Sequence, residues 1–405
     1  MNILYYCDEY PPYKNGGIGR VVKLIAEEMA QKGHTVFVAG DYTTSSNKTS
    51  PSEYSFEKGV HIYRLSKANQ KKDFLLKILK FINIILIKEL SFVQFLIAKR
   101  KVRIKENYIE RIIQIHKIDI LEIPDYQDEV LHGLNRSIKF KHYTVPTIIR
   151  VHGSCSFIEY YRSGKIKNSI LQNDKNHFLR ADCICAVSNF SADFVKNYLT
   201  GKQPDVIYNP IESLFFNKNI ENSPTNTILF FGKIIETKGV FGLIKAFNLI
   251  ADKYPNIQLK FIGTGDIDKI KSLTDMRYSN RVFFEDFMPK EQIIKEIDAS
   301  LFCVLPSYFE NFSMAALEVL GRSKALIYTE RASGKELITN GVNGLLVNPE
   351  DINQIAKIMS FLIENPNKRE ELGNAGYLMC KERFSTDVII PKIEDYYLKL
   401  INNKL

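Results

Sequence analysis

The chain reads as an α/β protein built from two parallel-sheet domains. Three observations predict this. Short, almost wholly apolar runs recur along its length, as expected of strands buried on both faces. Helical patterns alternate with them, and the glycine-bearing loops fall between strand and helix. An irregular stretch over 209–226, rich in Asn, Ser and Pro, separates one such series from a second. At 405 residues, 45% hydrophobic and 25% charged, the chain suits two soluble globular domains better than one core.

The first fifty residues form one unit. An apolar run at 2–7 is followed by a loop over 8–19 carrying Pro11-Pro12 and Gly16-Gly17-Ile18-Gly19. Val21, Leu24, Ile25 and Met29 then give an apolar helical face, and Gly33 stands at its C-terminal end. The strand 35–39 completes a βαβ unit with an expected right-handed crossover. Further strands are expected at 118–121, 147–151, 183–187 and 206–208. The second series comprises a strand at 228–231, a helix at 240–254, and strands at 259–262, 282–284, 299–305, 325–328 and 344–347. Domain limits follow at 1–208 and 209–388.

The six cysteines are scattered, and most sit in apolar runs, so they read as small buried hydrophobes. Cys183 and Cys185 have no second Cys or His pair at zinc spacing. No metal site is expected, and a reducing compartment fits. The first residues run straight into a strand pattern with no basic leader, so a cytoplasmic protein is expected.

Net charge is +9, and its location is uneven. Between Arg64 and Lys117 stand fourteen Lys/Arg against four Asp/Glu, a net of +10. The same region holds the most apolar run, 74–98, interrupted by Lys77, Lys80, Lys88 and Glu89. Those charges argue against a spanning helix, which needs about 20 apolar residues. Two readings of 65–117 remain: a helix lying on an anionic membrane surface, or core-packed helices with a solvated basic face. No helix-turn-helix or base-stacking pattern accompanies the charge, so nucleic acid is not an expected partner.

Two constellations at strand ends point to chemistry. Phe230-Phe-Gly232-Lys233 closes one strand, and Lys238-Gly239 opens the next helix. Two lysines five apart at such a turn suit one diphosphate, aided by roughly half a positive charge at the helix start. Pro306-Ser-Tyr-Phe-Glu310-Asn311-Phe312-Ser313-Met314-Ala-Ala-Leu-Glu318 leads from another strand into a helix. Glu310 is placed to accept hydrogen bonds from sugar hydroxyls. Glu318, about two turns on, suits the paired hydroxyls of a ribose. Backbone N–H groups at 312–314 are available to phosphate.

This ordered set resembles the large family of retaining glycosyltransferases with the two-domain GT-B fold, whose Rossmann-like domains face each other across a cleft. The family's Glu-x7-Glu motif matches at Glu310 and Glu318. Its Gly-Arg…Lys-Gly element matches at Gly232-Lys233…Lys238-Gly239, with lysine in place of the usual arginine at 233, which keeps the charge and loses the bidentate fork. His152-Gly153, Val187-Ser188, Asn209-Pro210-Ile211, Gly263-Thr-Gly265 and Gly341-Val-Asn-Gly344 also match.

The resemblance implies roles by position. Lys233 and Lys238 would hold the diphosphate of a UDP- or GDP-sugar, Glu318 the ribose and Glu310 the sugar. Asn311, Phe312, Ser313 and Met314 would line the donor. Gly17 would let backbone approach the phosphates, and His152 would stand near the reacting carbon. Glu310, His152 and Lys238 form the implied catalytic set. The last helix, 389–405, would return to the first domain. No Asp-x-Asp stands out on a suitable loop, so lysines and helix dipoles would replace a metal at the leaving group. The implied reaction is hexosyl transfer to a polysaccharide or lipid-linked acceptor at the inner membrane face. A nucleotide-sugar epimerase on the same fold and a non-catalytic scaffold are the alternatives.

Overall fold

The computed structural model describes every residue except 13–16, 43–51, 66–73, 86–90, 127–136, 218–224 and 405. The chain forms two units: Met1–Pro210 with Ile390–Leu405, and Ile211–Ile389.

In the first unit the elements run β1 (Asn2–Tyr6), α1 (Gly17–Gln31), β2 (Thr35–Asp41), β3 (Tyr54–Glu57), β4 (Val60–Leu65), α2 (Phe74–Ile85) and α3 (Ser91–His116). They continue with β5 (Ile120–Pro124), β6 (Thr147–Val151), α4 (Cys155–Ser163), α5 (Asn168–Phe178), β7 (Cys183–Ala186), α6 (Asn189–Phe194) and β8 (Asp205–Val206). The sheet order is β3-β4-β2-β1-β5-β6-β7-β8. Only β3 is antiparallel to its neighbour. The central strands β1 and β6 are buried along nearly their whole length, which is why they read as unbroken apolar runs. The order reverses between β1 and β5, so the loops after β1, β5 and β6 mark the ligand-binding edge of this sheet.

The second unit contains β9 (Thr227–Phe231), α7 (Val240–Ile250), β10 (Gln258–Ile262), α8 (Ile267–Leu273), β11 (Val282–Glu285), α9 (Lys290–Ala299) and β12 (Phe302–Leu305). It goes on through α10 (Met314–Gly321), β13 (Leu326–Thr329), α11 (Gly334–Leu337), β14 (Leu345–Val347), α12 (Ile352–Glu364), α13 (Pro366–Phe384) and α14 (Thr386–Lys404). Its sheet is all parallel, in the order β11-β10-β9-β12-β13-β14. That is the Rossmann order, with the switch point between β9 and β12.

Several boundaries differ from the sequence expectation. The β3–β4 hairpin was not anticipated. Its two-residue turn, Lys58-Gly59, has positive φ at both positions (49° and 82°), the geometry that suits the twist of a tight hairpin. The strand expected from Ala299 starts at Phe302, because Ala299 still ends α9. The stretch after Asn209 is not all irregular. A 3₁₀ turn spans Ser213–Phe216 with Phe215 buried, and Ile211 N donates to Phe384 O (2.8 Å).

The final helix α14 belongs to both units in sequence, and its later part packs on the first. Tyr397 Oη donates to Glu122 Oε2 (2.6 Å), Glu122 pairs with Arg150 (2.8 Å), and Glu394 pairs with Lys32 (2.9 Å). All six cysteines are free; five are buried and Cys183 is half-buried.

The basic segment divides. On α3, Val93, Ala98, Val102, Ile109, Ile112 and Ile113 are core residues. Lys105 is buried between Asp8 (3.1 Å) and Asp41 (3.6 Å), and Arg64 is buried beside Glu57 (3.4 Å). On α2, by contrast, Leu75, Ile78 and Phe81 are exposed, as are Lys77 and Lys80. Among the described residues no helix is long and apolar enough to cross a membrane.

Candidate active site

The second unit carries a candidate site at the β9/β12 switch point. After β9 the chain turns through Gly232 (φ 134°) and exposed Lys233 into a 3₁₀ turn, Glu236–Lys238. Gly239 follows with φ 72°, and a Cβ there would lie 1.9 Å from the Pro306 carbonyl oxygen. Only glycine permits that approach, and the approach matters. It lets the loop after β12 lie on the turn after β9, with Tyr308 N donating to Thr237 O (2.9 Å).

The consequence is a direct contact between the two constellations. The Lys238 ammonium donates to Glu310 Oε1, which also accepts from Ser307 Oγ (3.2 Å). Ser333 Oγ holds the Glu310 carbonyl (3.1 Å). An ammonium has three protons, so Lys238 keeps two for further acceptors.

Gly263 and Gly265 brace the same turn from β10. A Cβ on either would lie 1.9 Å from Gly232 O or 2.2 Å from Ile234 O. One Asp-x-Asp does follow them, Asp266-Ile-Asp268, at the N-cap and first turn of α8. The sequence reading passed over this pair.

The segment 311–314 leads into the start of α10. Ser313 caps that helix, its hydroxyl accepting from Ala316 N (3.3 Å). Phe312 sits edge-on to Phe384 at 5.5 Å between ring centres, in the core. Both side chains are thus occupied, and what 312 and 313 can offer a ligand is backbone N–H. Asn311 and Glu318 are buried, Glu318 inside α10 and Met314 at its first position.

In the first unit, Gly17 opens α1 and is exposed, and no described atom lies within 4 Å of where its Cβ would stand. Gly19 is the glycine the fold itself demands, since a Cβ there would lie 1.8 Å from Glu9 O. His152 lies just past β6 and is half-buried. Burial, reinforced by the Arg150 charge, pushes its imidazole down to about 3, so the ring is neutral at ordinary pH.

Two family models together cover residues 15–379. "Glycosyltransferase Family 4" covers residues 15–213, and "Glycosyl transferases group 1" covers 212–379. The chain is a GT-B glycosyltransferase.

Individual relatives are distant. The transferase is 25% identical to the capsular polysaccharide biosynthesis glycosyltransferase CapM of Staphylococcus aureus over 42% of this chain and 44% of CapM. Sucrose-phosphate synthase from Thermosynechococcus elongatus superimposes with a TM-score of 0.76 at 18% identity, covering all of both chains. Anabaena HepE, solved with UDP and glucose, gives 0.67 at 16% identity, covering 97% of the transferase and 98% of HepE. At these identities the structural likeness speaks to fold.

Several family-like motifs prove to be structural in this transferase. Ser188 caps α6 by accepting from Ser191 N (3.1 Å). Asn343 ties down its turn through Thr339 N (2.7 Å) and Leu337 O (3.0 Å). Ser307 and Ser333, which steer Glu310, were missed because isolated serines near a strand end carry no distinctive signal. Among the described residues no group of three or more His, Cys, Asp and Glu is placed to hold a metal.

Proposed function

We propose that this transferase moves a hexose-type sugar from a UDP- or GDP-sugar to a polysaccharide or lipid-linked acceptor, at the cytoplasmic face of the membrane, with retention of configuration and without a metal. The observation that carries the reading is the Lys238–Glu310 contact at the β9/β12 switch point, beside the capped start of α10. A cation, a carboxylate and a helix N-terminus at one sheet edge match the needs of a sugar diphosphate. In this reading Lys233, Lys238 and backbone N–H groups of 312–314 neutralise the departing diphosphate. Glu318 takes the ribose hydroxyls, and Glu310 takes those of the sugar. Donor phosphate then competes with Glu310 for the Lys238 ammonium.

The roles of Gly17 and His152 rest on the resemblance of their motifs. A neutral His152 ring suits a hydrogen bond to the sugar rather than charge stabilisation. The UDP held by HepE and the capsular glycan made through CapM support the donor and acceptor classes. The exposed Leu75, Ile78 and Phe81 beside Lys77 and Lys80 support a membrane surface as partner.

The test is nucleotide release from a panel of UDP- and GDP-sugars with glycan and lipid-linked acceptors, run with and without EDTA. Acceptor-dependent release that EDTA leaves unchanged, with the anomeric configuration of the product retained by NMR, is expected. Loss of activity in EDTA would turn attention to Asp266 and Asp268 and overturn the metal-free part. Sugar conversion with the nucleotide still attached would favour an epimerase. Silence across the panel would overturn the transfer reading.

A further inference from the structure

We propose that Asp125 is a positioning residue for His152: a buried carboxyl that fixes the His152-Gly153 turn through two consecutive backbone N–H groups. The inference rests on the role proposed above for His152. Asp125 is the first residue after β5, which pairs in parallel with β6, so its side chain reaches the turn that follows β6. It is fully buried. Its Oδ1 accepts from His152 N (2.9 Å) and Gly153 N (3.2 Å), and its Oδ2 accepts from Gly153 N (3.0 Å). Its own N–H donates to Arg150 O (3.1 Å), closing the link to β6. Gly153 holds φ 135°, which glycine adopts without strain, so the turn can present two consecutive N–H groups to one carboxyl.

The surroundings are unusual for a structural acid. No described lysine or arginine pairs with Asp125. The charged group that acts on it is Asp174 on α5, and His177 of the same helix is hydrogen-bonded to the neighbouring Pro124 carbonyl (3.0 Å). Asp174 is itself buried and accepts from Ser156 N at the start of α4 (2.6 Å). Burying a carboxylate without a cation is costly, and such costs concentrate where a group is needed for function.

Burial, opposed by the two N–H groups and reinforced by Asp174, pushes Asp125 up to about 7. Asp174 is pushed up to about 6, chiefly by burial. Ionised Asp125 holds its N–H partners more strongly than protonated Asp125 does. The His152 turn therefore tightens as pH rises through neutrality, although the neutral imidazole does not titrate there.

The experiment follows the His152 and Gly153 amide signals of the full chain by NMR across pH 5–9, alongside donor turnover. In wild type both amides shift with a midpoint near 7, and kcat rises through the same midpoint. In Asp125→Asn the amide step disappears, kcat falls about 10- to 100-fold and loses its pH step, and KM for the donor stays close to wild type. In Asp174→Asn the midpoint moves to lower pH, because a like charge has gone. Amides that do not titrate, or that titrate unchanged in Asp125→Asn, would overturn the clamp. Titrating amides with a flat kcat would reduce Asp125 to a structural role and overturn the positioning assignment. A wild-type chain inactive on every donor would instead sink the transferase reading, and the amides alone would then decide the clamp.

Discussion

Gly239 decides whether the two halves of the proposed donor site meet. An alanine there would drive its Cβ into Pro306 O at 1.9 Å and would also hold φ near 72°. The strain alone costs on the order of 1–3 kcal/mol, and relieving it means lifting the loop that carries Glu310. Gly239→Ala is expected to lower the melting temperature and to weaken nucleotide binding together. A variant that loses neither would show that the loop can settle elsewhere without harm. Lys238→Ala and Glu318→Ala probe the same site from its ligand side. Each is expected to cut turnover about 100-fold, the scale of one lost transition-state donor. Near-wild-type rates in both would remove the donor-site assignment.

At the scale of elements, the start of α10 is a structural device with a chemical use. Ser313→Ala removes its cap and should cost about 1 kcal/mol, seen as a lower denaturation midpoint. Helix α2 makes a different prediction. Replacing Leu75, Ile78 and Phe81 by serine should abolish binding to anionic vesicles while leaving the fold intact, since all three side chains are already exposed. Wild-type binding should also weaken as salt rises, because exposed charges are screened. Equal binding to neutral vesicles would contradict the electrostatic part. These elements differ in how far sequence revealed them. The buried parallel strands were legible because burial on both faces leaves an unbroken apolar run, as at Thr147–Val151. The β3–β4 hairpin was not, because Lys58-Gly59 is a weaker turn signal than Asn-Gly and β3 leaves Tyr54 and Phe56 exposed. Within the site, Lys238 and Glu310 were legible separately from their strand-end settings. Their contact was not, because it depends on a backbone approach at Gly239. Asp125 escaped notice altogether, since an Asp after Ile-Pro reads as an ordinary turn residue, and only the parallel pairing of β5 with β6 reveals what it holds.

For the molecule as a whole, two buried acids and two histidines of the first unit pull stability in opposite directions with pH. Asp125 and Asp174 have folded values raised to about 7 and about 6 from an ordinary 3.8. The folded chain therefore keeps protons that the unfolded chain has released. Their contribution is fully present below about pH 4 and is lost as pH rises to 7. His152 and His177 behave oppositely: both are lowered from 6.5, first by burial and then by a neighbouring arginine, Arg150 and Arg180 respectively. Their contribution is present above about pH 6.5 and is lost on acidification. A melting curve of wild type alone mixes the two effects, so the informative quantity is a difference. The melting temperature of the Asp125→Asn/Asp174→Asn double variant, minus that of wild type, should rise steadily between pH 4 and 7. The variant no longer carries the growing cost of burying two carboxylates, on the order of a few kcal/mol by pH 7. A difference that stays flat over that range would show that the two carboxyls titrate in the folded chain as they do unfolded. The His152 turn would then rest on an ordinary ionised acid, and its tightening through neutral pH would have no source.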